Sequence, residues 1–374
     1  MEAKNHATLT EPIEGYFSRN ELSILGSHCD DIKKLAQQIA IQLNNTWNLI
    51  YVDADHKLKE EVTASPSPFT ALYTDKIQYH EYQLKTSPSF PFKNSFYDHG
   101  AITLINGNHN IGKSQIVIIN PDKEASLFKR KNNLTHVIAF VSEEKYVPAY
   151  IKKCISNYAD IPLFTWDEMF ELANMIKLHL KNQLPPIMGL ILAGGLSTRM
   201  GEDKSKIVYH TKPQHEHLKA IMLPYCEKIF ESCRPNQVNQ FETPLEDTFL
   251  GLGPMGGILT AFQKNPNTAW LTIACDVPLV NSNTIQLLVD QRNPNKLATC
   301  FYNSKTKFPE PLITLWEPKA YPVLLAFLSK GFSCPRKVLI NSSIEMLTLE
   351  DETALFNANT PEDKFEATKV LSNR

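Results

Sequence analysis

The sequence predicts two α/β domains in tandem, on three observations. Its 374 residues are enough for two domains of ordinary size, each with a core of its own. Short apolar, β-branched runs alternate with helix-like stretches in both halves, the pattern of strands and helices packed in layers. Between the halves stands Pro185-Pro186, which cannot continue a helix and favours an extended linker.

In the first half, residues 22–25, 48–52, 102–105, 115–119 and 137–141 read as strands, and 31–43 and 123–131 as helices. Residues 61–95, rich in Ser, Pro, Thr and Tyr, read as a long excursion. A charged helix-like run over 166–181 ends at the diproline, and the apolar run 187–192 then reads as the first strand of a new domain. The expected domains are therefore 1–185 and 187–374.

Composition narrows the class. With 38 basic and 40 acidic residues, the chain has no electrostatic footprint for nucleic acid and no basic tail for a membrane surface. The first sixteen residues lack an apolar core of signal-peptide length, and no run approaches the roughly 18 apolar residues of a membrane span. Seven scattered cysteines, never spaced C-x-x-C, read as reduced thiols. A soluble cytoplasmic protein with neither nucleic-acid nor membrane partners is expected.

The chemistry begins where the strand 187–192 runs into Leu192-Ala193-Gly194-Gly195-Leu196-Ser197-Thr198-Arg199-Met200-Gly201-Glu202-Asp203-Lys204. Glycines let the backbone approach a ligand closely, and their N–H groups can cradle phosphate oxygens. Ser197 and Thr198 add hydroxyl donors, while Arg199 and Lys204 bring the positive charge a triphosphate needs. A lone Gly-Gly would read as a glycine-rich turn flanked by two surface cations, but the whole thirteen-residue string is far more specific than that.

This string is similar to the signature of the molybdenum cofactor guanylyltransferases, L-A-G-G-x-S-x-R-M-G-x-D-K, at every invariant position. The resemblance continues in order through Gly253-Pro254-Met255-Gly256-Gly257, Ala274-Cys275-Asp276-Val277-Pro278 and Asn357-Ala358-Asn359-Thr360-Pro361-Glu362-Asp363. It implies a Rossmann-like nucleotidyltransferase domain, a mostly parallel twisted sheet with helices on both faces. It also implies GTP and molybdopterin as substrates, Mg²⁺ as cofactor, and transient contact with molybdoenzymes or other proteins of cofactor biosynthesis.

Each motif also has a reading from its own residues. Asp276 closes a buried strand, where open α/β sheets bind ligands, and its carboxylate can hold Mg²⁺ against phosphates. The alternative is a helix N-cap, since Val-Pro follows. Gly253 and Gly256 belong to a tight turn into a helix, whose N–H groups face a base or sugar unless the turn is all they serve. Asp247 lies near an aspartate that the family uses at its nucleotide site, or is a solvated loop carboxylate. Asn357 and Asn359 suit a pterin or phosphate, or merely precede a last helix with Thr360 as N-cap and Pro361 as first residue. Where the family continues G-x-P-L, this chain has Tyr209-His210-Thr211-Lys212-Pro213-Gln214 before a helix near His215, so its acceptor side is expected to differ. Glu310, within Phe308-Pro309-Glu310-Pro311-Leu312, either touches the acceptor or caps a strand.

The first half contains a decoy. Gly107-Asn108-His109-Asn110-Ile111-Gly112-Lys113-Ser114 satisfies the phosphate-loop expression, but that loop needs a helix after it, and Gln115-Ile116-Val117-Ile118-Ile119 reads as a strand. A hairpin turn is expected instead. A second segment has the right context and the wrong residues: the strand at 22–25 leads through Gly26-Ser27-His28-Cys29-Asp30-Asp31 into a helix. This layout faintly resembles the P-loop adaptor proteins of molybdopterin-dinucleotide biosynthesis, with the phosphate loop eroded. A degenerate P-loop-like α/β domain that binds the pterin or a partner is expected.

The implied reaction is attack of the acceptor's terminal phosphate on the α-phosphorus of the nucleotide, with pyrophosphate leaving. Asp276 would hold Mg²⁺, and Arg199 and Lys204 would stabilise the leaving group. GTP is expected over CTP, because related cytidylyltransferases tend to read L-A-A-G, and a missing Cβ at Gly194 would make room for the purine. Two other readings remain open: the same fold acting on a sugar 1-phosphate, and a non-catalytic pterin carrier.

Overall fold

The computed structural model describes residues 16–45, 47–54, 71–84, 96–97, 100–195 and 200–373. The chain divides into two compact units, Met1–Asn182 and Gln183–Arg374.

The first unit contains β1 (Asn20–Leu25), α1 (Cys29–Leu43), β2 (Leu49–Val52), β3 (Ala71–Asp75), β4 (His80–Leu84), β5 (Ile102–Asn106) and β6 (Ser114–Ile118). It continues with α2 (Glu124–Lys129), β7 (Val137–Ser142), α3 (Ala149–Cys154), β8 (Leu163–Thr165) and α4 (Met169–Asn182). Six strands form one sheet in the order β2-β5-β1-β6-β7-β8, and every pairing in it is parallel. The stretch expected to be an excursion holds the antiparallel pair β3–β4.

Helix α1 forms because Ile32, Leu35, Ala36, Ile39 and Leu43 recur at helical spacing and are all buried. They pack with Leu22 and Ile24 of β1 and with the buried stripe of α4 on one face of the sheet. Leu25, Val117 and Phe140 pack with α2 and α3 in a separate cluster. Each fully buried Leu or Ile contributes about 1.5–3 kcal/mol of apolar burial.

The expected hairpin at 107–113 is not formed. β5 and β6 are both parallel to β1 and lie on opposite sides of it, so the segment crosses β1. The glycines serve that crossing: a Cβ on Gly107 would sit 2.9 Å from Leu25 Cβ, and one on Gly112 3.1 Å from Ser23 N. The strand expected after the motif is present as β6. No helix N-terminus therefore completes a phosphate loop there.

The second unit contains β9 (Ile187–Leu192), α5 (Gln214–Met222), β10 (Ile229–Cys233), β11 (Pro244–Glu246), α6 (Pro254–Lys264), β12 (Ala269–Ala274) and α7 (Ser282–Asp290). After these come β13 (Ala298–Asn303), β14 (Phe308–Trp316), α8 (Ala320–Ser329), α9 (Pro335–Ile340), β15 (Glu345–Leu347) and α10 (Pro361–Ser372). The sheet order is β11-β10-β9-β12-β14-β13-β15. Pairings are parallel except those of β14 with β12 and β13. Alternate residues feed two cores. Ile191, Leu271 and Ile313 pack with α5 and α7, whereas Leu190, Trp270 and Trp316 pack with α6, α8 and α9. The mostly parallel sheet with helices on both faces is thus present. Because β9, β10 and β12 run parallel, their carboxyl ends emerge at one edge, and the loops that leave them build the site. No helix among the described residues is long and apolar enough to cross a membrane.

Candidate active site

A cleft of about 790 Å³ opens at the carboxyl edge of β9, β10 and β12. Of the residues singled out in the sequence, Leu192, Ala193, Gly194, Gly195 and Lys204 line it. So do Asp247, Gly253, Asp276 and Asn359. Ser197, Thr198 and Arg199 lie outside the described residues.

Asp276 follows β12 by two residues. The helix-cap alternative is not realised, because Asn281 caps α7 by accepting from Thr284 N. Asp276 Oδ2 lies 3.7 Å from Lys204 Nζ, while its Oδ1 is buried without a hydrogen-bond partner. Burial pushes the carboxyl above its ordinary pKa, and the Lys204 ammonium partly opposes that shift. A buried carboxylate oxygen with no donor is costly unless a cation or donor meets it. Among the described residues no group of three His, Cys, Asp or Glu could hold a metal. One carboxylate completed by phosphate oxygens is nonetheless the usual way Mg²⁺ is held, so the residues present fit that ion.

Lys204 is set by its neighbours. Asp203 caps the short turn 204–206, accepting from Ser205 N at 3.0 Å and from Ser205 Oγ at 2.7 Å. Lys204 Nζ then donates to Asn359 Oδ1 at 2.6 Å. Asn359 Nδ2 donates to Asn357 Oδ1 at 2.9 Å, and Ala358 N donates to the Asp276 carbonyl at 2.7 Å. The closing motif precedes a last helix, as one of its two readings had it: Thr360 caps α10 in a reciprocal box with Asp363, whose Oδ2 accepts from Asn359 N as well. Asn357 supports Asn359 and does not itself line the cleft.

Asp247 follows β11, which lies on the other side of β9 in the sheet from β12 and Asp276. It is partly buried rather than a solvated loop carboxylate, and Ser232 Oγ donates to its Oδ1 at 2.7 Å. Burial pushes its pKa up to about 6, against the lowering effect of that hydrogen bond. The expected role of Gly194 changes. A Cβ there would lie 3.3 Å from Asp247 Oδ2 and 3.4 Å from Cys233 Cα, so Gly194 makes room for protein. Gly195 also lines the cleft, and a Cβ on it would meet no atom within 4 Å. Gly253 is the N-cap of α6, at φ 58°. Gly256 is buried in the first turn, where a Cβ would strike Phe249 O at 2.2 Å, and Gly201 is a turn residue at φ 76°. Neither lines the cleft.

The segment that departs from the family pattern braces the Asp276 loop. His210 Nε2 lies 3.0 Å from Pro278 O, and the ring stacks on His217 at 3.6 Å between centroids. Gln214 is fully buried, with its Nε2 3.5 Å from Val277 O. Glu310 is buried too, accepting from Leu312 N and Asn303 Nδ2 with Arg336 3.7 Å away, in a stretch where β14 shifts register against β13. Burial raises its pKa. The sequence reading missed Arg234, Asn236, Phe249 and Leu250, which also line the cleft. The signal for Arg234 and Asn236 was their place just past β10, a parallel strand adjacent to β9.

Residues 189–344 match the family described as the MobA-like NTP transferase domain. The chain is 37% identical over 184 residues to a molybdenum cofactor biosynthesis bifunctional protein of Synechocystis, covering 48% of this chain and 52% of that one. It thus spans about half the length of that relative. It is 30% identical over 189 residues to a molybdenum cofactor guanylyltransferase of a Shewanella species, covering 48% of this chain and 93% of the relative. Among solved structures, the molybdopterin-guanine dinucleotide biosynthesis protein A of Archaeoglobus fulgidus aligns at 20% identity with a TM-score of 0.44. That alignment covers 50% of this chain and all of that one.

Proposed function

Because this chain belongs, through its C-terminal half, to the molybdenum cofactor guanylyltransferase family, we propose that it transfers GMP from GTP to molybdopterin and releases pyrophosphate. The observation that carries the reading is the convergence of Lys204, Asn359 and Asp276, whose Oδ1 is buried without a hydrogen-bond partner, in one cleft that Asp247 also lines.

An oxygen of the acceptor's phosphate attacks the α-phosphorus. The bond from that phosphorus to the bridging oxygen breaks, and the electron pair leaves on pyrophosphate. The acceptor is already an anion, so no strong base is required, and catalysis rests on positioning and charge neutralisation. Mg²⁺, when bound through Asp276, supplies charge that offsets the phosphate oxygens. Lys204, held between Asp276 and Asn359, is assigned the stabilisation of the departing pyrophosphate, and so is Arg199. The backbone at Gly194 and Gly195 lies along the phosphates. Asp247 accepts hydrogen bonds from the nucleotide. The seven cysteines are all free thiols, which accords with a reducing, cytoplasmic setting. Contact with molybdoenzymes would be transient, at product delivery.

The acceptor is tested by Mg²⁺-dependent pyrophosphate release in the presence of GTP. Release is expected with molybdopterin and not with hexose 1-phosphates. The reverse pattern would move the enzyme to the sugar-nucleotide class, and release with neither would favour a carrier.

A further inference from the structure

The chemistry above draws on residues of the second unit; in the unit 1–182 the carboxyl edge of the sheet gathers reactive groups from three separate strand ends. Cys29, the first residue of α1, places Sγ 3.5 Å from Nε2 of His109, which stands just past β5. Asp53, one residue past β2, accepts from Asn106 Nδ2 at 2.7 Å, from Tyr51 OH at 2.9 Å and from Ala54 N at 2.8 Å. Burial disfavours its charge, but those hydrogen bonds, joined by the nearby His109, outweigh burial and hold Asp53 below its ordinary pKa.

Cys29 opens α1, whose N-cap His28 makes no side-chain cap, and in the same turn Asp31 accepts from Ser27 Oγ at 2.5 Å. Cys29 and His109 open into a small cavity of about 150 Å³, which Lys123 and Arg130 also line. Arg130 is oriented by its Nη1 bond to Asn108 Oδ1 at 2.9 Å. This is the arrangement of a nucleophilic thiol with a base and an electropositive approach.

We propose that Cys29 is a reactive thiol, with His109 as its base, that forms a mixed disulfide with a small anionic disulfide. His109 takes the thiol proton, and the Cys29 thiolate attacks one sulfur of the incoming disulfide. The new S–S bond forms as the old one breaks, and the second sulfur leaves as a thiolate that accepts the proton. Lys123 and Arg130 attract the carboxylates of the incoming molecule. The chain supplies its own control, because Cys334 is the other exposed cysteine and it sits at the N-cap of the six-residue α9.

The test is peptide-resolved mass spectrometry of the full chain during reaction with glutathione disulfide. Cys29 should react about tenfold or more faster than Cys334. His109→Gln should slow Cys29 about tenfold while leaving Cys334 unchanged, which also reports an intact fold. Arg130→Gln should slow reaction with glutathione disulfide and not with uncharged hydroxyethyl disulfide. Equal rates at Cys29 and Cys334, or a Cys29 rate indifferent to His109→Gln, would overturn the proposal.

Discussion

Lys204 Nζ and Asn359 Oδ1, 155 residues apart in the chain, are joined by a hydrogen bond of 2.6 Å. That bond ties the first motif of the catalytic unit to its last and leaves Lys204 between Asn359 and Asp276. Removing the cation should cost more than removing its support. Lys204→Ala is expected to lower kcat/KM about a hundredfold, near 2.7 kcal/mol, and Asn359→Ala about tenfold, near 1.4 kcal/mol. Steady-state kinetics with GTP check this, and equal losses from both would show that Asn359 acts on substrate directly.

Asp247 should limit the pH range of nucleotide binding. With its pKa pushed up to about 6, it is ionised at pH 7.5 and loses its charge as pH falls through 6. KM for GTP should therefore rise below pH 6 in the wild type and stay flat in Asp247→Asn. Stability runs the other way. A carboxyl whose folded pKa is raised destabilises the fold increasingly from pH 4 to about 6, and fully above that. Asp247→Asn should thus raise Tm at pH 8 while weakening GTP use, a trade of stability against function. A lower Tm at pH 8 would contradict this account of the burial.

The two adjacent glycines should behave differently. Gly195→Val places a side chain in open cleft and should weaken nucleotide binding about tenfold, near 1.4 kcal/mol, with little change in Tm. Gly194→Ala acts through Asp247, 3.3 Å from the added Cβ, and should disturb GTP and CTP use together. Isothermal titration with each triphosphate separates the cases, and a loss confined to GTP in Gly194→Ala would restore the simpler idea of purine space.

The stacked histidines predict an acid-sensitive fold. Burial first, and His210 beside it, lower the pKa of His217 to about 4. The unfolded residue, with an ordinary pKa of about 6.5, takes up its proton before the folded one does. Stability should therefore fall as pH drops from about 6.5 to 4 and level off below. His217→Phe should flatten that slope in a series of denaturant melts. An unchanged slope would place the acid sensitivity elsewhere.

Much of this is legible in the sequence, for identifiable reasons. The strand 187–192 could be read because a buried parallel strand is a continuous apolar run, and the start of α10 because a hydroxyl N-cap, Thr360, followed by Pro361 opens a helix. Asp276 could be placed because a strand ended beside it. The Lys204–Asn359 bond could not be read, since nothing local encodes a contact across 155 residues. The burial of Asp247 depends on Ser232 of another strand, and that contact gave Gly194 its different role. The crossing at 107–113 was mistaken for a hairpin because local residues specify a turn but not which strand lies between its ends. Lys113→Ala should accordingly leave nucleotide affinity unchanged, and tenfold weaker binding would make that segment a phosphate loop after all.

The central claim, guanylyl transfer at the cleft that Asp276 and Lys204 share, is tested most directly by one competition assay. Pyrophosphate release is followed with molybdopterin, Mg²⁺ and equal GTP and CTP, for the wild type and for Asp276→Asn of confirmed fold. The wild type should consume GTP with at least about a tenfold advantage in kcat/KM, near 1.4 kcal/mol. Asp276→Asn should lose about a hundredfold or more. A preference for CTP would overturn the choice of base, and undiminished turnover in Asp276→Asn would contradict the site itself.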